Sequence, residues 1–192
     1  MKTILYIHGY GSTGNAVKGQ ILRTMFPQHR ILSPTLDYNR LTPYQVHFQL
    51  RQIIDTEHVD MIVGSSFGGY HALCCSTFFT GPIWAVNPVH DVMHTLRRQL
   101  DVIATPDNQK LLSLMTSDYE SFDQFVFQNA SRLFKNQRHL HFALSTDDEL
   151  LGDHQPLLKL FPKHKEALFF DHCGHRFLRF EELKPQIAKS LT

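Results

Sequence analysis

The sequence predicts an α/β fold: a mostly parallel sheet flanked by helices on both faces, with a small helical cap. Two observations carry this. Strand-like apolar runs alternate with helix-like segments, as a parallel sheet requires, because each strand must return through a crossover. In addition, Gly64-Ser65-Ser66-Phe67-Gly68 directly follows the apolar run Met61-Ile62-Val63. That is G-x-S-x-G after a short buried strand, the pattern of a sharp strand-to-helix turn.

Each element has its own signal. Residues 4–7 read as a first strand and residues 30–32 as a short second one ending before Pro34, with a helix at 15–25 between them. Thr42-Pro43 opens the next helix, Thr42 as N-cap and Pro43 at the first helical position. Its apolar residues Val46, Leu50, Ile53 and Ile54 recur at helical spacing. A buried strand follows at 59–63, then a helix at 70–79 and a strand at 83–86 closed by Asn87-Pro88. Strands at 139–144 and 166–170 and a helix at 182–191, with Pro185 near its start, complete the pattern.

Residues 90–137 break the rhythm. Leu111, Leu112, Leu114 and Met115, then Tyr119, Phe122, Phe125, Val126 and Phe127, recur at helical spacing with no convincing strand. The segment is long for a plain crossover, so it reads as a helical cap inserted into a single domain, 1–192. An exposed aromatic cap would also offer a homodimer contact.

Composition excludes several classes. The chain of 192 residues is long enough for its own core, and 42% hydrophobic with 19% charged residues fits a folded domain. A net charge of +1 gives no field that favours nucleic acid or an anionic membrane. No apolar stretch approaches a membrane span. The N-terminal run ends at His8-Gly9 without a small-residue cleavage site and reads as a strand, not a signal peptide. Three cysteines, with Cys74 and Cys75 adjacent, make no disulfide framework. The expected location is the cytoplasm.

A serine hydroxyl is a poor nucleophile unless a turn exposes it beside a base and near oxyanion donors. Ser66 occupies such a turn. An oxyanion needs two convergent amides. One is expected from Phe67, the residue after the nucleophile, whose ring is expected to line the pocket. The other is expected from Tyr10 in the loop His8-Gly9-Tyr10-Gly11. An acid should follow a late strand, and Asp147-Asp148-Glu149 does so; Asp148 is the first choice and Asp147 the second. A base should follow the last strand, where His175 after Gly174 fits better than its rival His172. The grouping of His172, Cys173 and His175 matches no common zinc signature, so no metal is expected. Trp84, Cys74 and Cys75 read as core. Tyr119, Phe122 and Phe125 fit either an acyl pocket or the cap's own packing.

Together, His8-Gly9-Tyr10, Gly64-Ser65-Ser66-Phe67-Gly68-Gly69, Asn87-Pro88, Thr146-Asp147-Asp148-Glu149 and Gly174-His175-Arg176-Phe177 resemble the small YqiA-type bacterial esterases of the α/β-hydrolase superfamily. The likeness runs in order over nearly the whole chain. It departs at Asp147, where the family has Gly, and at Gly174, where an Asp often precedes the His. The resemblance implies an α/β-hydrolase fold and a serine carboxylesterase acting on a small-molecule ester with a short acyl chain. It also implies Ser66, Asp148 and His175 as catalytic residues and no cofactor. A thioester substrate is equally reasonable chemically. A non-catalytic hydrolase-fold binding protein is the alternative from another class.

Overall fold

The computed structural model describes residues 1–101, 106–128 and 137–192. Its centre is a six-stranded sheet, every pairing parallel. The strands are β1 (Thr3–Ile7), β2 (Arg30–Leu32), β3 (Met61–Ser65), β4 (Ile83–Val86), β5 (Leu140–Ser145) and β6 (Glu166–Phe170), in spatial order β2-β1-β3-β4-β5-β6. The helices are α1 (Val17–Met25), α2 (Pro43–Glu57), α3 (Phe67–Cys75), α4 (Val92–Asp101), α5 (Pro106–Gln128), α6 (Gln155–Leu160) and α7 (Lys184–Ser190). A 3₁₀ turn, Phe180–Leu183, precedes α7.

The period of two along each strand sorts side chains onto two faces. Leu5, Ile7, Ile62, Ile83, Ala85 and Phe142 join the core under α2, α3 and α5. Ile4, Tyr6, Met61, Val63, Trp84 and Val86 join the opposite core, with Leu22 and Met25 of α1 and Ile187 of α7. Both faces are covered, so the inner strands are largely apolar on both faces rather than alternating. Trp84 is a core residue as expected, fully buried and stacked on His141. Cys74 and Cys75 are buried free thiols.

Several boundaries differ from the sequence reading. The third strand starts at Met61, not residue 59, and runs on to Ser65, because Gly64 and Ser65 pair with Ala85 and Val86. The following helix starts at Phe67, immediately after the turn, and ends at Cys75. The fifth strand is Leu140–Ser145, one residue later than expected. Helix α6 carried no signal strong enough to be predicted. The last helix divides into the 3₁₀ turn and α7, with Pro185 accommodated in the first turn, where its missing N–H costs nothing. Thr42 and Gln45 form the full capping box that opens α2.

Between β4 and β5 lie α4 and α5, packed on one another. Met115, Tyr119 and Phe122 of α5 are buried in the core shared with α2 and α3. The side chains of Leu111, Leu112, Phe125, Val126 and Phe127 lie outside the described residues, as do positions 102–105 and 129–136. Among the described residues, no helix is long and apolar enough to cross a membrane.

Candidate active site

Parallel strands all end at one sheet edge, and the loops beyond β1, β3, β4, β5 and β6 meet there. Ser66 sits at the tip of β3 with φ 57° and ψ −122°, a sparsely populated conformation for a residue with a side chain. The turn is held because the backbone closes tightly on both sides. A Cβ on Gly68 would lie 2.1 Å from the carbonyl oxygen of Ile7 and 2.4 Å from that of His8. One on Gly64 would lie 2.3 Å from the carbonyl oxygen of Gly68. The Ser66 amide still donates to Val86 O at 2.9 Å, so the sheet anchors the turn up to the serine itself.

His175 reaches this serine from the loop after β6. Ser66 Oγ lies 2.8 Å from His175 Nε2. His175 Nδ1 lies 3.0 Å from each carboxylate oxygen of Asp148, in the loop after β5. An ionised carboxylate can only accept, so Nδ1 carries the proton and Nε2 is free to accept from the serine. Burial alone would raise the Asp148 carboxyl. The hydrogen bond from His175, the amides of Leu151 and Leu150 and the imidazole's charge outweigh it and hold the group below its ordinary value.

The neighbouring candidates are placed elsewhere. The Asp147 carboxylate accepts from Ser145 Oγ at 2.5 Å and from the amides of Cys173 and Gly174, each at 3.1 Å. The Ser145 hydroxyl first, then the Gly174 amide, hold it down at about 2. Asp147 therefore ties the two loops together without touching the imidazole ring. Glu149 Oε2 accepts from the His175 amide at 2.7 Å. The His172 ring is 90% exposed, 3.9 Å from an Asp171 oxygen, and does not line the cleft at Ser66.

Asn87 escaped the sequence reading as a site residue. Fully buried at the end of β4, it accepts from the Ser145 amide at 2.7 Å and donates to the carbonyls of Gly174 and His175 at 3.0 and 3.1 Å. Its φ of 40° is one that Asn tolerates better than most residues. The available signal was the position itself, an amide directly beyond a central strand. His8 was read as part of a turn, but it also acts through its ring. Nε2 accepts from the Leu36 amide at 2.9 Å, so Nδ1 carries the proton and donates to Gly9 O at 2.8 Å. Burial keeps this imidazole neutral. The ring thus braces the loop that carries Tyr10.

Neither the Tyr10 nor the Phe67 amide has an acceptor among the described residues. Phe67 is the first residue of α3, where helical N–H groups are left unpaired. The Phe67 ring departs from expectation. It is buried against Tyr38, His71 and Tyr119 rather than lining the open cleft. That cleft, about 700 Å³, opens at Ser66 between the start of α1 and the chain from His175 to Glu181. Tyr119 and Phe122 are buried in the core shared with α3 and do not line this cleft, so they build the core and not its wall. Among the described residues, no three His, Cys, Asp or Glu side chains are grouped as a metal site needs.

A family model described as "Uncharacterised protein family (UPF0227)" matches residues 3–191. The chain belongs to this family. The resemblance to the YqiA-type proteins, read from five short motifs, holds across the chain. Among solved structures, the chain is similar to a monoacylglycerol lipase from Paleococcus ferrophilus, with TM-score 0.66 and 14% identity over 98% of this chain and 93% of that one. It is similar to Est1E from Butyrivibrio proteoclasticus, in a structure with ferulic acid bound, with TM-score 0.71 and 11% identity over 100% and 90%. It is also similar to an α/β-hydrolase enzyme from a lagoon-sediment metagenome of Mar Chica, Morocco, with TM-score 0.70 and 15% identity over 98% and 89%. At these identities the likeness establishes the α/β-hydrolase fold.

Proposed function

We propose that this UPF0227 protein is a serine hydrolase that cleaves carboxylic esters through an acyl-enzyme. The observation that carries the reading is the hydrogen-bonded line from Ser66 through His175 to Asp148, beside an open cleft. The lipase and esterase names of the structural neighbours agree with it.

Each residue has a role set by its chemistry. Ser66 Oγ attacks the acyl carbon while His175 Nε2 takes its proton. Asp148 fixes the tautomer and stabilises the imidazolium that forms. The Tyr10 and Phe67 amides receive the oxyanion, and losing one such donor typically costs about 10²–10³ in turnover. His175 then protonates the departing alkoxide. A water molecule, activated by the same nitrogen, releases the acid and restores Ser66. A thioester would follow the same route with a thiolate leaving. The segment around α4 and α5 serves as the cap of a single hydrolase domain. No residue in this scheme needs a metal or cofactor.

The test is Ser66→Ala assayed on p-nitrophenyl acetate and butyrate, with circular dichroism to check the fold. Turnover should fall by about 10⁴-fold or more, and a fluorophosphonate probe should label the wild type and not the variant. A folded variant that keeps its activity would remove Ser66 from the mechanism. A wild type that neither hydrolyses esters nor reacts with the probe would make the protein a binding scaffold.

A further inference from the structure

The cleft wall beside Ser66 contains two cations that the proposed ester hydrolysis leaves without a role. Lys18 in the first turn of α1 and Arg176, the residue after the base, both line it. Lys18 Nζ donates to the Arg176 carbonyl at 2.6 Å and sits 6.0 Å from the Phe180 ring centre. Among the described residues, neither cation lies within ion-pair distance of a carboxylate. Some cations elsewhere in the chain do, and what sets these two apart is that both face one cleft beside Ser66. Lys2 faces Asp60, Arg30 faces Glu57, and Arg179, three positions beyond Arg176, grips both Asp171 and Glu182. Glu181 shares the cleft but pairs with neither cation, so the wall stays net positive. Burial first, then the charge of Arg176, bring Lys18 down to about 8, which means an ammonium held at a cost and without its natural counter-charge.

The direction of the reaction says which part of a substrate meets these cations. His175 Nε2 must hand its proton to the leaving oxygen, so the alcohol portion departs past the imidazole. Arg176 is the next residue along, and Lys18 is fastened to its carbonyl. We propose that Lys18 and Arg176 form an anion subsite for the leaving group, so that the preferred substrate is an ester whose alcohol carries a carboxylate or phosphate. This rests on Ser66 and His175 acting as proposed above. Val17 and Leu178, both exposed at the cleft, give the remaining wall an apolar character.

The experiment compares kcat/KM for meta-carboxy-para-nitrophenyl butyrate and its neutral parent, para-nitrophenyl butyrate. A second pair, O-butyryl hydroxypropyl phosphate against propyl butyrate, followed by acid release, separates phosphate from carboxylate recognition. At low salt the anionic member of at least one pair should be favoured about 10-fold through KM, and added salt should erode the preference. Lys18→Met and Arg176→Gln should each cut the anionic-to-neutral ratio about 10-fold. Arg176→Gln keeps the backbone carbonyl and is exposed, so it tests the charge even if Lys18→Met fails to fold. If Lys18 is only a latch on the loop, both esters suffer alike and the ratio stands still, which overturns the proposal. So does a preference for mono-para-nitrophenyl succinate, whose charge is on the acyl side. Fluorophosphonate labelling of the wild type separates the two failures, because an unlabelled serine defeats the hydrolase reading itself.

Discussion

Ser66 and Asn87 are unlike in chemistry but share a left-handed backbone at the same sheet edge. One presents a hydroxyl and the other ties the end of β5 and the loop after β6 to the end of β4. The carboxylates beyond β5 divide the labour further. Both oxygens of Asp148 accept from the His175 Nδ1–H, Asp147 clamps the main chain of Cys173 and Gly174, and Glu149 clamps that of His175. Asp148→Asn should therefore lower kcat by about 10³–10⁴, since an amide favours the wrong tautomer. Asp147→Asn keeps one carbonyl oxygen to accept the same amides, and its loss should stay within about 10-fold. Steady-state kinetics on p-nitrophenyl butyrate decide between them, and the reverse order would transfer the role to Asp147. Asp147 is depressed to about 2, so its loop clamp is intact above the ordinary carboxylate range and loosens as pH falls through that value.

At the scale of elements, the tightest fit is between α3 and β1. Gly68→Ala drives a methyl into the carbonyls of Ile7 and His8, which belong to a paired strand and its braced loop and have no room to retreat. The cost should be about 3 kcal/mol or more, read as a lower urea midpoint at unchanged slope. A midpoint near wild type would mean the turn is looser than its geometry. The same contact explains why the elbow was readable from sequence. Only glycine fits at positions 64 and 68, and strand β3 before them is uniformly apolar. The meeting of Asp148 and His175 with Ser66 was legible in the chain order, since each follows a late strand and parallel strands end at one sheet edge. The onset of α3 was misplaced, since Phe67-Gly68-Gly69 has poor helix propensity and starts the helix only because the turn demands it. Helix α6 is six residues long and leans on tertiary contacts of Leu157 and Phe161. The ring of Phe67 could not be assigned from sequence, because a residue at a helix start can face either way until its neighbours are known.

For the whole molecule, the histidines set the response to acid. His8, His47, His71, His90, His139, His141 and His154 are all lowered, with burial the first cause in each. His47 falls to about 4 and bonds to His71, which in turn meets the Tyr119 hydroxyl. A neutral imidazole in the folded state and a protonated one in the unfolded state make stability full above about 6.5. It is lost progressively as pH falls toward 4. Asp123, raised to about 6 mainly by burial, works in the opposite sense but is a single group. His47 alone removes about 2 kcal/mol at pH 5, and the melting midpoint should drop by about 4–8 °C between pH 7 and pH 5. A midpoint flat over that range would place these rings in water.

The clamp that Asn87 closes has a consequence in time as well as in space. During synthesis the strained turn at Ser66 emerges more than a hundred residues before the imidazole that would activate it. On the mechanism proposed above, residue 66 carries an ordinary alcohol until β6 pairs with β5 and Gly174 and His175 meet the Asn87 amide. By the same mechanism, a nascent chain stalled before that point would be chemically silent, and reactivity would come only once the chain beyond β6 has folded back onto the site.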